Sequence, residues 1–311
     1  MTRDIDVVVY GTVCLDLMWR VERLAAAGTY ESILEERRTI GGEAANSAIA
    51  LARWGLKVAL VGTATGDDNN GRLLRALFAE HAPEIDLTGV EVAPGEPTAY
   101  CVCIATPDGH RTMYGSGFVE MQCPALDPAL ARRARMFTMD PNAYRAGLEA
   151  CAVAAAAGAE IVAMDYTGSP EVNRAAAISV TSETLTPGAG SLKESAAYAG
   201  ELRDREGGTT IVTCGERGCF AAERGTAGVP AVHYPALRPQ CVVDTTGAGD
   251  IFRAGLIYGR IQGWPLDRTV RFASAAAALN CAALGGWAGV RPLAEIDAFQ
   301  RAADTIDPGA E

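Results

Sequence analysis

The feature that most constrains the fold is a repeated alternation of short apolar runs and helical stretches. Asp6–Tyr10 (DVVVY), Lys57–Val61 (KVALV), Met136–Met139, Glu160–Met164, Ala177–Val180 and Thr210–Thr213 are short, apolar and rich in β-branched residues. A strand buried on both faces shows such a continuous run instead of an apolar–polar alternation. Helical periodicity fills Gly42–Trp54, Gly71–His81, Ala143–Ala157 and Lys193–Arg205 between most of them, then Ala248–Ile261, Asp267–Leu284 and Leu293–Ala303 near the end. This order predicts an α/β fold: a mostly parallel central sheet sandwiched between two helical layers.

Two regions break the rhythm. Cys14–Val21 and Ser32–Ile40 look extended with no helix between them, as do Thr98–Ala105 and His110–Gly115, which flank a Pro-Asp-Gly turn. These four strands, drawn from about residues 12–40 and 97–118, are expected to form a small antiparallel sheet beside the main one. A lid over a pocket or a dimerisation surface would use it. No repeat or low-complexity linker interrupts the chain, so residues 1–311 are expected to form a single α/β domain carrying this lid.

Bulk chemistry narrows the function. Lys and Arg total 27 against 38 Asp and Glu, a net charge of -11. That balance disfavours a nucleic-acid or anionic-membrane partner, since both require a basic patch. No apolar run reaches membrane-spanning length, and acidic residues stand where a signal peptide needs basic ones, which points to a cytoplasmic protein. Nine scattered cysteines form no C-x-x-C pair and read as reduced core thiols, with no zinc-ligand spacing. Cys101 and Cys103, in a strand-like segment, are expected on opposite sides. Only three histidines occur, His81, His110 and His233, so a histidine triad or cluster is poorly supplied.

The chemistry concentrates in Asp244-Thr-Thr-Gly-Ala-Gly-Asp250, which is expected to run from a strand (Cys241–Val243) into a helix. Gly247, Ala248 and Gly249 leave backbone N–H groups approachable at a helix start, where the dipole favours an anion. Asp250 follows in the first turn. Read alone, the segment allows two roles: a turn whose aspartate complements its own helix terminus, or a loop that stabilises transferred charge while Asp250 removes a proton from an attacking hydroxyl. Motifs of the commoner frameworks are missing: no G-x-G-x-x-G follows the first strand, and no G-x-x-x-x-G-K-[ST] or G-x-S-x-G occurs.

At this point the sequence resembles the ribokinase-like (PfkB) family of carbohydrate and nucleoside kinases, along nearly its whole length and with motifs in order. DTTGAGD followed by Ile-Phe-Arg-Ala-Gly resembles the family's C-terminal signature, and Gly41-Gly42-Glu-Ala-Ala-Asn46 its N-terminal di-glycine signature. The resemblance implies the ribokinase-like three-layer sandwich with a small β-sheet lid. It implies Asp250 as catalytic base, Gly247, Ala248 and Gly249 as anion hole, and Asp16, Gly42 and Asn46 as substrate-binding residues. Val212-Thr-Cys-Gly-Glu-Arg-Gly218 is similar to the family's segment along ATP, which places Thr213, Gly215 and Gly218 near the nucleotide. Leu284-Gly285-Gly286 resembles the loop over adenine and assigns Gly286 there. ATP and Mg2+ are the implied cofactors, with a monovalent cation such as K+ a further candidate, and a homodimer through the lid strands is a candidate assembly.

The pattern departs from the family at one place. Ser182-Glu-Thr-Leu185 stands where many members carry Asn-x-x-Glu for the magnesium shell, which leaves Glu183 as the metal candidate. A serine here is similar to the ketohexokinase branch and favours a sugar or ketose. Tyr166 is expected to line a phosphate channel or pack, Arg253 to face either way, Arg111 to be a solvated strand charge, and Trp287 to pack or border adenine. The expected activity is phosphorylation of a hydroxyl of a small sugar-like metabolite, such as a terminal CH2OH. A nucleoside kinase and a non-catalytic sugar or nucleoside sensor are the alternatives. A nicotinamide-dependent oxidoreductase lacks its fingerprint.

Overall fold

The computed structural model describes residues 3–107, 109, 111–118 and 123–304. Its main sheet holds β1 (Ile5–Gly11), β4 (Val58–Gly62), β6 (Asp86–Gly89), β10 (Ala134–Met139), β11 (Glu160–Met164), β12 (Ala176–Ser182), β13 (Thr209–Thr213), β14 (Cys219–Ala222) and β15 (Val232–Tyr234). The lid sheet holds β2 (Cys14–Val21), β3 (Ile33–Gly41), β8 (Tyr100–Ala105) and β9 (Arg111–Ser116), and a two-stranded pair holds β5 (Thr65–Gly66) and β7 (Val92–Ala93). The helices are α1 (Glu43–Arg53), α2 (Asn69–His81), α3 (Pro128–Arg133), α4 (Tyr144–Ala156), α5 (Pro170–Ala175), α6 (Leu192–Glu206), α7 (Ala248–Ile261), α8 (Leu266–Asn280) and α9 (Leu293–Asp304).

The main sheet runs β15-β14-β13-β12-β11-β10-β1-β4-β6, parallel except for the antiparallel β14 and β15. Alternate strand residues serve opposite layers. Val7 and Val9 of β1 pack into a core shared with α1, α7 and α8, while Val8 and Tyr10 join the core beneath α4 and α5. A two-sided sheet therefore explains the uninterrupted apolar runs. After β1 the chain moves to β4 and β6 on one side, then crosses back to β10 and onward on the other. The switch point lies between β1 and β10, where the carboxyl ends of an open α/β sheet leave a ligand crevice.

The lid order is β3-β2-β8-β9. Its four strands match the sequence expectation, except that the central pair β2–β8 is parallel and not antiparallel. Cys241–Val243 forms no strand: Val243 and Asp244 instead donate to the Cys281 carbonyl. His110 lies outside the described residues. No helix among the described residues is long and apolar enough to cross a membrane.

Candidate functional site

At the switch point Gly11 ends β1 and Asp140 follows β10. Asp140 is fully buried and accepts hydrogen bonds from the Thr12 backbone N–H (2.6 Å), the Ala44 N–H and the Asn142 N–H. It thereby pins the start of β2, the first turn of α1 and the loop after β10 to one point. Burial pushes its carboxyl above the usual range, opposed by the nearby Arg253 guanidinium.

The di-glycine segment has two separate steric reasons. A Cβ on Gly41 would overlap the Asp16 carboxylate, so the glycine makes room for that side chain against β3. Gly42 has φ 97°, and a Cβ there would overlap the Thr12 carbonyl. It is also the N-cap of α1, whose first turn then presents Glu43 and Asn46.

Gly247 plays the corresponding part for α7. It caps the helix at φ 74° with no side-chain hydrogen bond, so the Gly249 and Asp250 amides are left for an outside acceptor, while the Ala248 N–H, expected in the anion hole, donates to the Thr245 carbonyl at 3.2 Å. A Cβ there would overlap the Gly286 carbonyl. At Gly249 a Cβ would meet only the Met164 Cε at 3.5 Å, an ordinary contact, so its smallness keeps space open instead of allowing protein packing. Asp244 fastens the segment, accepting from the Thr246 N–H (2.9 Å) and the Gly285 N–H (2.9 Å).

Asp250 sits in the first turn of α7 at 6 % exposure. Its Oδ2 accepts from Asn46 Nδ2 at 2.8 Å, and its Oδ1 lies 3.6 Å from an Arg253 guanidinium nitrogen. Burial raises its pKa to about 6, with the Asp140 charge adding to the rise and Arg253 and the Asn46 hydrogen bond opposing it. Asn46 Oδ1 is buried without a hydrogen-bond partner, an acceptor available to a bound molecule. Asp16 is 4 % exposed, and burial lifts its carboxyl to about 7. Glu43, at the same wall, is raised to about 8 by burial and by the charges of Asp250 and Asp140.

One cavity of about 1320 Å³ gathers Asp16, Gly42, Asn46, Gly247, Ala248, Gly249 and Asp250 with Thr213, Gly215 and Gly218. Two expected residues are not on its lining. Gly286 backs onto the Asn46 amide and Gly247, and its carbonyl accepts from Asn280 Nδ2 at 3.1 Å, so it supports the site from behind. Glu183 points away to a bidentate ion pair with Arg217, which occupies the oxygens a metal shell would need.

The structure also decides the open readings of Arg253, Tyr166 and Trp287 and corrects that of Cys101 and Cys103. Arg111 is exposed, as a solvated strand charge would be, but it also lines the cavity, and its Nη1 donates to Thr245 Oγ1 at 3.0 Å, joining the lid to the loop before α7. Arg253 turns fully inward, donating to Ser47 Oγ, the Met139 carbonyl (3.0 Å) and the Glu43 carbonyl (2.7 Å). Tyr166 packs, its hydroxyl donating to the Asp140 carbonyl at 2.8 Å. Trp287 also packs, donating to the Ile40 carbonyl beneath the Arg53 guanidinium. Cys101 and Cys103 share one face, with sulfurs 3.5 Å apart, because a strand alternates every residue and positions i and i+2 coincide.

Three carboxylates gained no role from sequence: Glu43, Asp140 and Asp165. Asp165 lines the cavity at φ 60°, a conformation costly for a non-glycine residue, and its Oδ1 accepts from the Ser182 N–H at 3.0 Å. An aspartate directly after the β11 run was the available signal, since strand ends face the crevice.

The model of the pfkB family of carbohydrate kinases matches residues 4–122 and 171–290. The chain belongs to this family. An ATP-dependent ribose-1-phosphate kinase of Halopiger xanaduensis is 30% identical, with 87% of this chain and 90% of that protein covered. Among solved structures, a putative ribokinase from Agrobacterium tumefaciens superposes with TM-score 0.85 at 25% identity, covering 97% of this chain and 99% of that one. Arabidopsis thaliana ribokinase, solved with ribose and ATP, superposes with TM-score 0.78 at 21% identity over 97% and 99% of the two chains. The pfkB-family chain thus has a ribokinase-like fold, and it is a phosphotransferase with an alcohol acceptor.

Proposed function

We propose that this pfkB-family kinase transfers the γ-phosphoryl group of ATP to a hydroxyl, in the first place a terminal CH2OH, of a small sugar-like metabolite, with Asp250 as the base. The observation that carries this reading is the placing of Asp250: a buried carboxylate beside uncapped amides of its own helix, on the wall of one large cavity. A carboxylate held near pKa 6 is ionised at neutral pH yet basic enough to accept a hydroxyl proton as the new O–P bond forms. The α7 amides at Gly249 and Asp250 meet the charge spreading over the transferred group. Asp16 and the unpartnered Asn46 Oδ1 accept from other hydroxyls and so orient the acceptor.

The nucleotide then lies along Thr213, Gly215 and Gly218, which line the same cavity. Magnesium fits Asp165 better than Glu183, because Asp165 faces the cavity and Glu183 is held by Arg217. When bound there, the metal neutralises phosphate charge, leaning chiefly on phosphate oxygens and water.

The test is ADP release across a panel of pentoses, hexoses, ketoses, sugar acids and nucleosides, with the product's phosphate position read by phosphorus–proton correlation. Substrate-dependent ADP release with phosphate on a primary carbon is expected. A ligand that binds without ADP release would identify a sensor and contradict the proposal.

A further inference from the structure

The lid face turned to the cavity carries a chemistry that a pocket for hydroxyl groups does not need. Asp16 of β2 lies opposite Cys101 of β8 in the parallel pair, with Cys103 one step along the same face. The Asp16 carboxylate and the sulfurs of Cys101 and Cys103 all lie within 4.8 Å of one another. Two sulfurs bound at about 2.3 Å to a tetrahedral metal stand about 3.8 Å apart. These two stand 3.5 Å apart. Cys14, buried beside them, donates its S–H to Asp16 Oδ1 at 3.4 Å, the supporting bond that a metal-bound carboxylate characteristically receives. All three candidate ligands line the cavity, so a fourth coordination position opens toward it. Sequence spacing hides this set because its members come from two strands that meet only in the folded lid.

We propose that Asp16, Cys101 and Cys103 form a three-ligand site for a thiophilic divalent cation of the zinc class, and that its occupancy excludes the hydroxylated substrate from Asp16. Soft thiolates select such ions over magnesium, which prefers oxygen ligands. On binding, two S–H bonds break and their protons leave to solvent, two thiolate–metal bonds and one carboxylate–metal bond form, and no electron changes hands. The competition, though not the metal site itself, rests on the reading of Asp16 as a substrate acceptor.

Cadmium titrated into the reduced full-length protein, followed by thiolate-to-cadmium ultraviolet absorption, tests the site. A tight single-ion phase is expected that weakens more than about 100-fold in the Cys101→Ser/Cys103→Ser variant, since even loss of outer partners costs up to about that much. An unchanged phase in that variant overturns the site and leaves the kinase reading standing. The wild type gives a second measure: cadmium should protect the peptide holding both cysteines from iodoacetamide, and equal labelling with and without the ion overturns the site independently. Finally, the sugar turning over fastest in the ADP panel should weaken cadmium binding in proportion to its occupancy. A metal phase indifferent to that sugar overturns the competition and places the sugar elsewhere than Asp16.

Discussion

At the scale of single residues, the account turns on how one carboxylate is held. Asp250 faces two opposed influences: burial and Asp140 raise its pKa, while Arg253 and Asn46 lower it, leaving it near 6. A base must be ionised, so kcat/KM should fall about tenfold per pH unit as pH drops below about 6. Arg253 acts on it as a positioning residue at 3.6 Å. Replacing it by Met removes the charge that favours the ionised form, so the acid limb should move to higher pH; a profile with an unmoved limb would count against this role. The same change leaves the buried Asp250 and Asp140 carboxyls without their cation and should cost about 3–5 kcal/mol in denaturant unfolding. None of this could be read from the sequence. Arg253 is one helical turn from Asp250, but which way it faces depends on α1 supplying Ser47 and the Glu43 carbonyl, more than 200 positions earlier.

At the scale of elements, α7 carries the site and α8 sets where α7 sits. Gly255 faces α8 so closely that an added Cβ would lie 2.5 Å from the Ala273 Cα, and Gly259, one turn on, meets Thr269 in the same way. Gly255→Ala should therefore push the two helices apart, cost about 1–3 kcal/mol and lower turnover by displacing the α7 amides. Thermal melting and steady-state kinetics on one preparation check this; an unchanged melting temperature would contradict it. Elements were the most legible level. The DVVVY, KVALV and EIVAM runs gave β1, β4 and β11, and the glycines after Trp54 and Ala157 marked helix ends. Three of the missed elements share a cause: β6, β14 and β15 are short strands near the sheet's margins whose partners, not their patterns, make them strands. The strand expected at Cys241–Val243 finds no partner strand; the Cys281 carbonyl takes the Val243 and Asp244 amides instead.

At the scale of the molecule, four carboxyls are brought from distant positions to one crevice. Asp16, Glu43 and Asp250 reach about 7, 8 and 6, and Asp140 is raised too, all by burial first. In the unfolded chain such groups ionise near pH 4. Between about pH 4 and about pH 8 the folded state therefore binds more protons than the unfolded state, and folding stability falls as pH rises. Exposed carboxyls held low, such as Asp4 at about 2, have their window below this range and do not offset it. The melting temperature of the ligand-free protein should decline from about pH 5 to about pH 8; a rise across that interval would contradict the clustering argument. The two signature motifs disclosed Asp250 and the di-glycine turn, since those are contiguous. Asp16 was named only through the family resemblance, while Glu43 and Asp140 were invisible because only the switch point between β1 and β10 assembles them.

The most direct measurement of the central claim is single-turnover phosphoryl transfer by the Asp250→Asn variant, with ATP affinity determined on the same preparation. The account predicts that the transfer rate falls by about 10²–10⁴ while the nucleotide dissociation constant stays close to wild type. Transfer at the wild-type rate by the folded variant would contradict Asp250 as the base.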